Sequence, residues 1–295
     1  MKSLTRRRML RDVGSIALGV TAPGSVSRRA FAQVAADKGQ GLLAKLQAAK
    51  KVRISFPNQP PFSGLNPDGT VTGAAPTITK TIMERLGIPG IEGILATYGE
   101  LIPGMLADRW DFVSAALTIT KARCSQVRFG DPIIFDGDNI VAIKDHPGPM
   151  PKRLSELAKG GFVVGAPAGG ADVKALLAAG VPLEKIRQFN NDPSEIDALL
   201  AKRIDFGVMS PSGVRQIIKQ RNVDLEITYP VEDDPPRGSA CAFRLQDPDL
   251  YGAYVGEMRK MRASGELIAI LKSFGYETTI EQLSTPVDQL CARES

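Results

Sequence analysis

The sequence predicts an α/β fold of two similar lobes, each a mainly parallel sheet flanked by helices. Three observations predict it. Strand-like and helix-like segments alternate along the chain, a pattern that favours parallel strands connected by crossover helices. An eleven-residue pattern recurs at an offset of 94 residues: Ile102–Phe112 can be laid over Ile196–Phe206 with Ile, Leu, Ala, Arg, Asp and Phe in place. Finally, 295 residues of which 43% are hydrophobic suffice for about two domains.

Residues 41–50 read as a short helix, and Val52–Phe56 alternates as a strand. Gln59-Pro60-Pro61-Phe62 forces an irregular loop, and Asn66-Pro67-Asp68-Gly69 is a strong turn signal. Pro76 is placed to open a helix with Ile78, Ile82 and Leu86 on one face. A strand follows over Ile94–Thr97, then a helix marked by Ile102, Met105 and Leu106, then a buried strand over Phe112–Leu117. After the turn-rich stretch from Asp145 to Pro151, Gly160–Gly165 starts a fresh strand. Asp233–Gly238 is a charged, Pro-rich crossing, and the chain then returns to apolar helix with Leu250, Tyr254, Met258 and Met261. These boundaries predict a discontinuous first lobe, 33–138 plus 234–295, and an inserted second lobe, 139–233. Two connections between lobes would let them hinge around a cleft.

The charge is unevenly placed. Residues 1–32 carry seven positive and one negative side chain, so without them the net charge falls from +5 to about −1. The basic balance is therefore no argument for nucleic-acid binding. Arg6-Arg7-Arg8, the apolar stretch Val13–Ala22 and the small residues of Ala30-Phe31-Ala32 read as a twin-arginine secretory signal, 1–32, cleaved after Ala32. The apolar stretch is about ten residues, half of what spans a bilayer. The mature chain is expected to be soluble and periplasmic. Export permits disulfides, but Cys124, Cys241 and Cys291 are an odd set, so one pair at most can form. Cys124 and Cys241, both among small apolar residues, read as buried free thiols. With a single His and scattered Cys, no metal site and no cofactor is expected.

Signals for covalent catalysis are sparse. The single His146 falls in a polar turn and is expected to be solvated. Gly165–Gly170 follows a strand and precedes a helix, a loop able to offer N–H groups to an anion, but it has neither Walker A nor dinucleotide spacing. Thr118-Ile119-Thr120-Lys121-Ala122-Arg123 sits just past the carboxyl end of the Phe112–Leu117 strand, where open α/β sheets bind ligands. A helix starting near Thr120 would put Arg123 on its first turn beside Thr118, and a guanidinium matches a carboxylate bidentately.

From about Val52 to Tyr276 the chain resembles family 3 extracellular solute-binding proteins, the receptors of polar amino-acid ABC importers. The resemblance rests on Asn66–Gly69 before Gly73, Leu101–Gly104, Ile119-Thr120 with Arg123, and Val127 to Pro132. Tyr98–Met105, Ile119–Cys124, Arg237–Arg244 and Phe274–Tyr276 look most like ectoine/hydroxyectoine-binding receptors. The resemblance implies the two-lobed type II periplasmic binding protein fold, a non-enzymatic receptor that closes over a small solute, and ABC permease subunits as partners. No nucleic acid is expected as a partner, and the receptor is expected to be a monomer. It implies that Arg123 pairs with the solute carboxylate, helped by Thr118, with Gly170 and Ala171 supplying backbone N–H groups. Phe62 and Tyr98 would face the cationic part. Gln59 stands where ectoine receptors tend to have Glu, and Ser210 stands where α-amino-acid receptors usually hold the ammonium with Asp. The alternative is a cyclohexadienyl dehydratase-like enzyme on the same fold. That chemistry needs an acid in the cleft; no cleft acid is predicted, Gln59 being neutral and Glu100 facing a helix surface.

Overall fold

The computed structural model describes residues 41–293; the expected twin-arginine signal, 1–32, and the expected cleavage after Ala32 lie outside the described residues. In chain order the elements are α1 (Leu42–Ala49), β1 (Lys51–Phe56), β2 (Gly64–Leu65), β3 (Val71–Thr72), α2 (Ala74–Arg85), β4 (Gly90–Leu95), α3 (Tyr98–Leu106), β5 (Phe112–Thr118), α4 (Lys121–Cys124), β6 (Arg128–Phe129), β7 (Ile134–Asp136) and β8 (Asn139–Ile143). They continue with α5 (Leu154–Gly160), β9 (Val164–Pro167), α6 (Ala171–Ala178), β10 (Ile186–Phe189), α7 (Asp192–Leu200), β11 (Phe206–Met209), α8 (Pro211–Arg221), β12 (Leu225–Thr228) and β13 (Arg237–Phe243). Four helices close the chain: α9 (Pro248–Ala263), α10 (Glu266–Ser273), α11 (Ile280–Leu283) and α12 (Val287–Ala292).

Two larger sheets organise the molecule. The first has the order β4-β1-β5-β13-β6, with β7 also paired to β13; the second has the order β10-β9-β11-β8-β12. In the first sheet β4, β1 and β5 run parallel and β13 runs antiparallel to β5. In the second, β10, β9 and β11 run parallel and β8 runs antiparallel to β11. Each sheet is thus a parallel trio extended by antiparallel strands. The chain enters the second sheet directly from β7 into β8, and returns to the first after β12 by way of β13. One continuous core lies around the first sheet. The second sheet buries one face against Leu154, Leu157, Val173 and Leu176 of α5 and α6. Its other face is buried against Ile196, Leu199, Val214 and Ile217 of α7 and α8.

The repeated pattern has the same local geometry in both copies. In the first, the Asp111 N–H donates to the Arg53 carbonyl at 2.9 Å, and Asp111 Oδ2 accepts from the Arg53 N–H at 2.7 Å. In the second, the Asp205 N–H donates to the Val163 carbonyl at 2.8 Å, and Asp205 Oδ2 accepts from the Val163 N–H at 2.8 Å. Each Asp thus ties the start of one strand to its parallel neighbour. The preceding turns also match, with Asp108 and Lys202 in the left-handed region at φ 57° and 55°.

Several expectations need correction. Cys124 is not a free thiol: it is bonded to Cys291, with 5.8 Å between Cα atoms, and only Cys241 remains free and buried. The two sulfurs are 167 positions apart, so no local signal could pair them. His146 is not a solvated turn residue; its ring packs on Phe206 at 4.3 Å and Phe162 at 6.1 Å. Pro76 sits in the first turn of α2, which opens at Ala74; a proline is tolerated there because that N–H has no helical acceptor. Thr97 is not a strand residue. It precedes α3, and the Glu100 side chain accepts from the Thr97 N–H at 2.8 Å.

Candidate functional site

The eight predicted binding residues line one cavity. Gln59, Phe62, Tyr98, Thr118 and Arg123 come from the segments of the first sheet; Gly170, Ala171 and Ser210 come from those of the second. Most follow the carboxyl ends of parallel strands: Gln59 after β1, Tyr98 after β4, Thr118 at the end of β5, Gly170 after β9 and Ser210 after β11.

Arg123 is held by the short helix α4. The Thr120 side chain caps that helix by accepting from the Arg123 N–H at 3.3 Å. The guanidinium is buried, with 9% of the residue exposed. It donates from Nη1 to the Thr118 carbonyl at 2.9 Å and from Nη2 to the Gly169 carbonyl at 3.2 Å. Thr118 thus holds the guanidinium through its carbonyl oxygen. Both acceptors are neutral, and among the described residues no carboxylate pairs with Arg123. Burial lowers its pKa, with Tyr98 and Asp172 opposing the shift.

Gly169 brings the two halves of the cavity together. It takes φ 69°, and a Cβ there would lie 2.4 Å from the Gly99 nitrogen, so both its conformation and the close approach demand glycine. The Gly170 N–H is spent on the Pro167 carbonyl at 3.0 Å, contrary to its expected role as a donor to solute. Ala171 opens α6, where an N–H has no acceptor within the helix. Ser210 caps α8, accepting from the Gly213 N–H at 3.2 Å.

Phe62 is buried and tilted against Tyr276, with 5.4 Å between ring centroids. The Tyr98 phenol is pushed well above its ordinary pKa by burial and by the charges of Asp192 and Asp172, so it stays a neutral hydroxyl. Gln59 donates from Nε2 to Asp192 Oδ1 at 2.7 Å, and the other carboxylate oxygen of Asp192 is buried without a partner. A Glu at position 59 would set a second carboxylate against Asp192, which accounts for the amide here.

The expectation that no acid lines the cleft is wrong. Asp136, Asp138 and Asp172 are in the cavity wall together with Arg237. Arg237 donates from Nη2 to Asp138 at 2.7 Å, lies 3.8 Å from Asp172 and pairs with Asp234. Burial works against the Arg237 charge, but Asp138, Asp234 and Asp172 outweigh it and hold the pKa up. Burial and Asp138 push Asp136 up to about 7, against the opposing charge of Arg215. Burial likewise raises Asp192 to about 7 and Asp234 to about 6. Asp136 and Asp138 flank the first crossing between sheets and Arg237 stands at the second, so a sequence signal existed: charged residues at both predicted crossings. Ala116, also in the wall, was not visible in the sequence. It takes φ 45° inside β5, next to a register shift against β13. A strained non-glycine backbone of this kind is concentrated at binding sites.

The model of bacterial extracellular solute-binding proteins, family 3, matches residues 52–277. A probable amino-acid ABC transporter periplasmic-binding protein of Sinorhizobium fredii is 26% identical over 246 residues, 81% of each chain. The L-cystine-binding protein TcyJ of Escherichia coli is 25% identical over 244 residues, 81% of this chain and 88% of that one. Among solved structures, EhuB in complex with hydroxyectoine has a TM-score of 0.82 and 31% identity, covering 86% of this chain and 98% of its own. An ancestral amino acid-binding protein described as a precursor of cyclohexadienyl dehydratase shares the fold, with a TM-score of 0.69 and 22% identity over 79% of this chain and 98% of its own. The interlobe cavity, the paired sheets and the match over 52–277 lead to one conclusion: the chain belongs to the bacterial extracellular solute-binding proteins of family 3.

Proposed function

We propose that this protein is the periplasmic receptor of an ABC importer and binds a small amino-acid-like zwitterion, an ectoine-like compatible solute or a polar amino acid, by closing two lobes over it. The lobes are 33–138 plus 234–295 and 139–233. One observation carries the reading: the buried Arg123 guanidinium, in a cavity shared by both sheets, meets only neutral carbonyl oxygens. A buried cation with no close ion pair is costly, and a solute carboxylate supplies one. Thr118, Gln59, Phe62, Tyr98, Ala171 and Ser210 complete the wall around it. The resemblance to EhuB favours a compatible solute, and the curated relatives favour amino acids. The twin-arginine signal delivers the chain and is removed after Ala32, and the closed monomer is then presented to permease subunits.

Isothermal titration of the mature protein with compatible solutes and amino acids tests this. Arg123→Ala is expected to lose about 2–5 kcal/mol of affinity for whichever solute binds, as for removal of one partner of a buried charge pair. Unchanged affinity refutes the reading. The dehydratase alternative gains one observation, since Asp136 is an acid in the cavity wall held up at about 7. Turnover of prephenate by the mature protein would establish it, and no turnover would dismiss it.

A further inference from the structure

The charged groups of the cavity wall are unevenly paired. Two guanidinium groups, Arg123 and Arg237, face three carboxylates, Asp136, Asp138 and Asp172. Arg237 is already engaged by Asp138, Asp172 and Asp234. Arg123 is bonded to carbonyls. Asp136 forms no ion pair and no side-chain hydrogen bond to another side chain among the described residues. Arg123 and Asp136 therefore share a cavity, and among the described residues neither forms a close ion pair: Arg123 feels Asp172, and Asp136 feels Arg215 and Arg237, only at longer range.

The surroundings of Asp136 say what kind of positive group would suit it. It ends β7, with its Cα in register with Arg237 on β13, so its backbone is fixed by a strand pair rather than a loose loop. Tyr276 senses its charge, and the Tyr276 ring packs on Phe62, which also lines the cavity. A carboxylate in a cavity that Phe62 and Tyr98 also line suits a flat or compact cation that rests on a ring and donates an N–H to the acid. A quaternary ammonium has no N–H to give and would forgo the charge-assisted hydrogen bond that this half-buried carboxylate can accept.

We infer that Asp136 is the cation-recognising and specificity-determining residue of this cavity, and that the solute is a zwitterion whose positive group carries N–H donors rather than a quaternary ammonium. The inference deepens the receptor reading and rests on it. Arg123 takes the carboxylate, Asp136 takes the N–H cation, and the pair sets the solute's orientation.

Titration calorimetry at pH 8 tests it, with hydroxyectoine, L-arginine and glycine betaine as probes against wild type, Arg123→Ala, Asp136→Asn and Asp136→Glu. The expected result has three parts. Wild type binds hydroxyectoine or L-arginine at least tenfold more tightly than glycine betaine. Asp136→Asn weakens the preferred probe tenfold or more, while Asp136→Glu restores part of the loss. Asp136→Asn also narrows the preference over glycine betaine, a change that general damage to the fold would not produce. Two results overturn the inference and leave the receptor reading standing: glycine betaine as the tightest Arg123-dependent probe, or an Asp136→Asn affinity within twofold of wild type for a probe that Arg123→Ala abolishes. Binding that is indifferent to Arg123→Ala overturns both. The comparison of probes on wild type keeps the test decisive if a variant does not fold.

Discussion

At the scale of single residues, Gln59 and Asp136 both show how burial turns a carboxylate into a chemical choice. Asp192 accepts from Gln59 while burial raises its pKa to about 7. Gln59→Glu would put two acids at hydrogen-bond distance, where one proton has to be shared. The variant is expected to melt several degrees below wild type at pH 8 and to recover most of the difference at pH 5; equal losses at both pH values in thermal melts would contradict this. Asp136 carries a solution prediction of its own. Burial and Asp138 raise it to about 7, while Arg215 and Arg237 oppose. A bound cation favours its charged form, so binding releases a proton. Affinity for an N–H zwitterion should rise between about pH 5 and pH 7 and level off above pH 8, and calorimetry in buffers of different ionisation enthalpy should detect that release. The sequence made Arg123, Phe62 and Tyr98 legible because their motifs resemble those of a family. It left Asp136, Asp138 and Asp172 unread because an acid near a turn looks solvated until the fold closes over it.

At the scale of elements, the repeat is the clearest case of sequence becoming structure. Asp111 and Asp205 close the same two-bond link between parallel strands in each sheet. Removing the Asp111 carboxylate leaves a part-buried backbone N–H without its acceptor, at about 1–3 kcal/mol, whereas the exposed Asp205 bond, which water can replace, is worth about 0.5–1.5 kcal/mol. Asp205→Ala and Asp111→Ala should each lower urea stability by about that much, while Asp205→Asn, which keeps an acceptor oxygen, should lose less. Equal loss for Asn and Ala would assign the effect to charge rather than to the hydrogen bond. Helix positions read well because apolar spacing reports the buried face. Short strands such as β6 and β7 read poorly because two or three residues carry no period, and their pairing to β13 depends on a segment about a hundred residues away.

At the scale of the molecule, carboxylates gathered where the sheets meet should make ligand-free stability depend on pH. Asp136 and Asp192 are held up at about 7 and Asp234 at about 6, mainly by burial. Unfolded Asp titrates near 3.9. Between about pH 4 and pH 7 the folded chain thus binds protons that the unfolded chain does not, so stability falls as pH rises through that window. A ligand-free melting temperature lower at pH 8 than at pH 5.5 is expected, and bound zwitterion should reduce the difference. The two-lobed plan was legible from the repeat and the alternation of elements, whereas the charge balance of the cavity follows from two crossings that only the folded chain brings side by side.

The bond between Cys124 and Cys291 lies one residue from Arg123 and joins α4 to the last helix. Its consequence concerns how the protein is prepared. In the chain-entropy picture a cross-link spanning 167 positions is worth about 5 kcal/mol. Material made in a reducing cytosol and material recovered from an oxidising compartment are therefore two different reagents, and a batch carrying unbridged thiols would hold the segment that carries Arg123 less firmly. Truncation before Cys291 would leave Cys124 as an unbridged sulfhydryl next to Arg123, open to alkylation and to adventitious dimers.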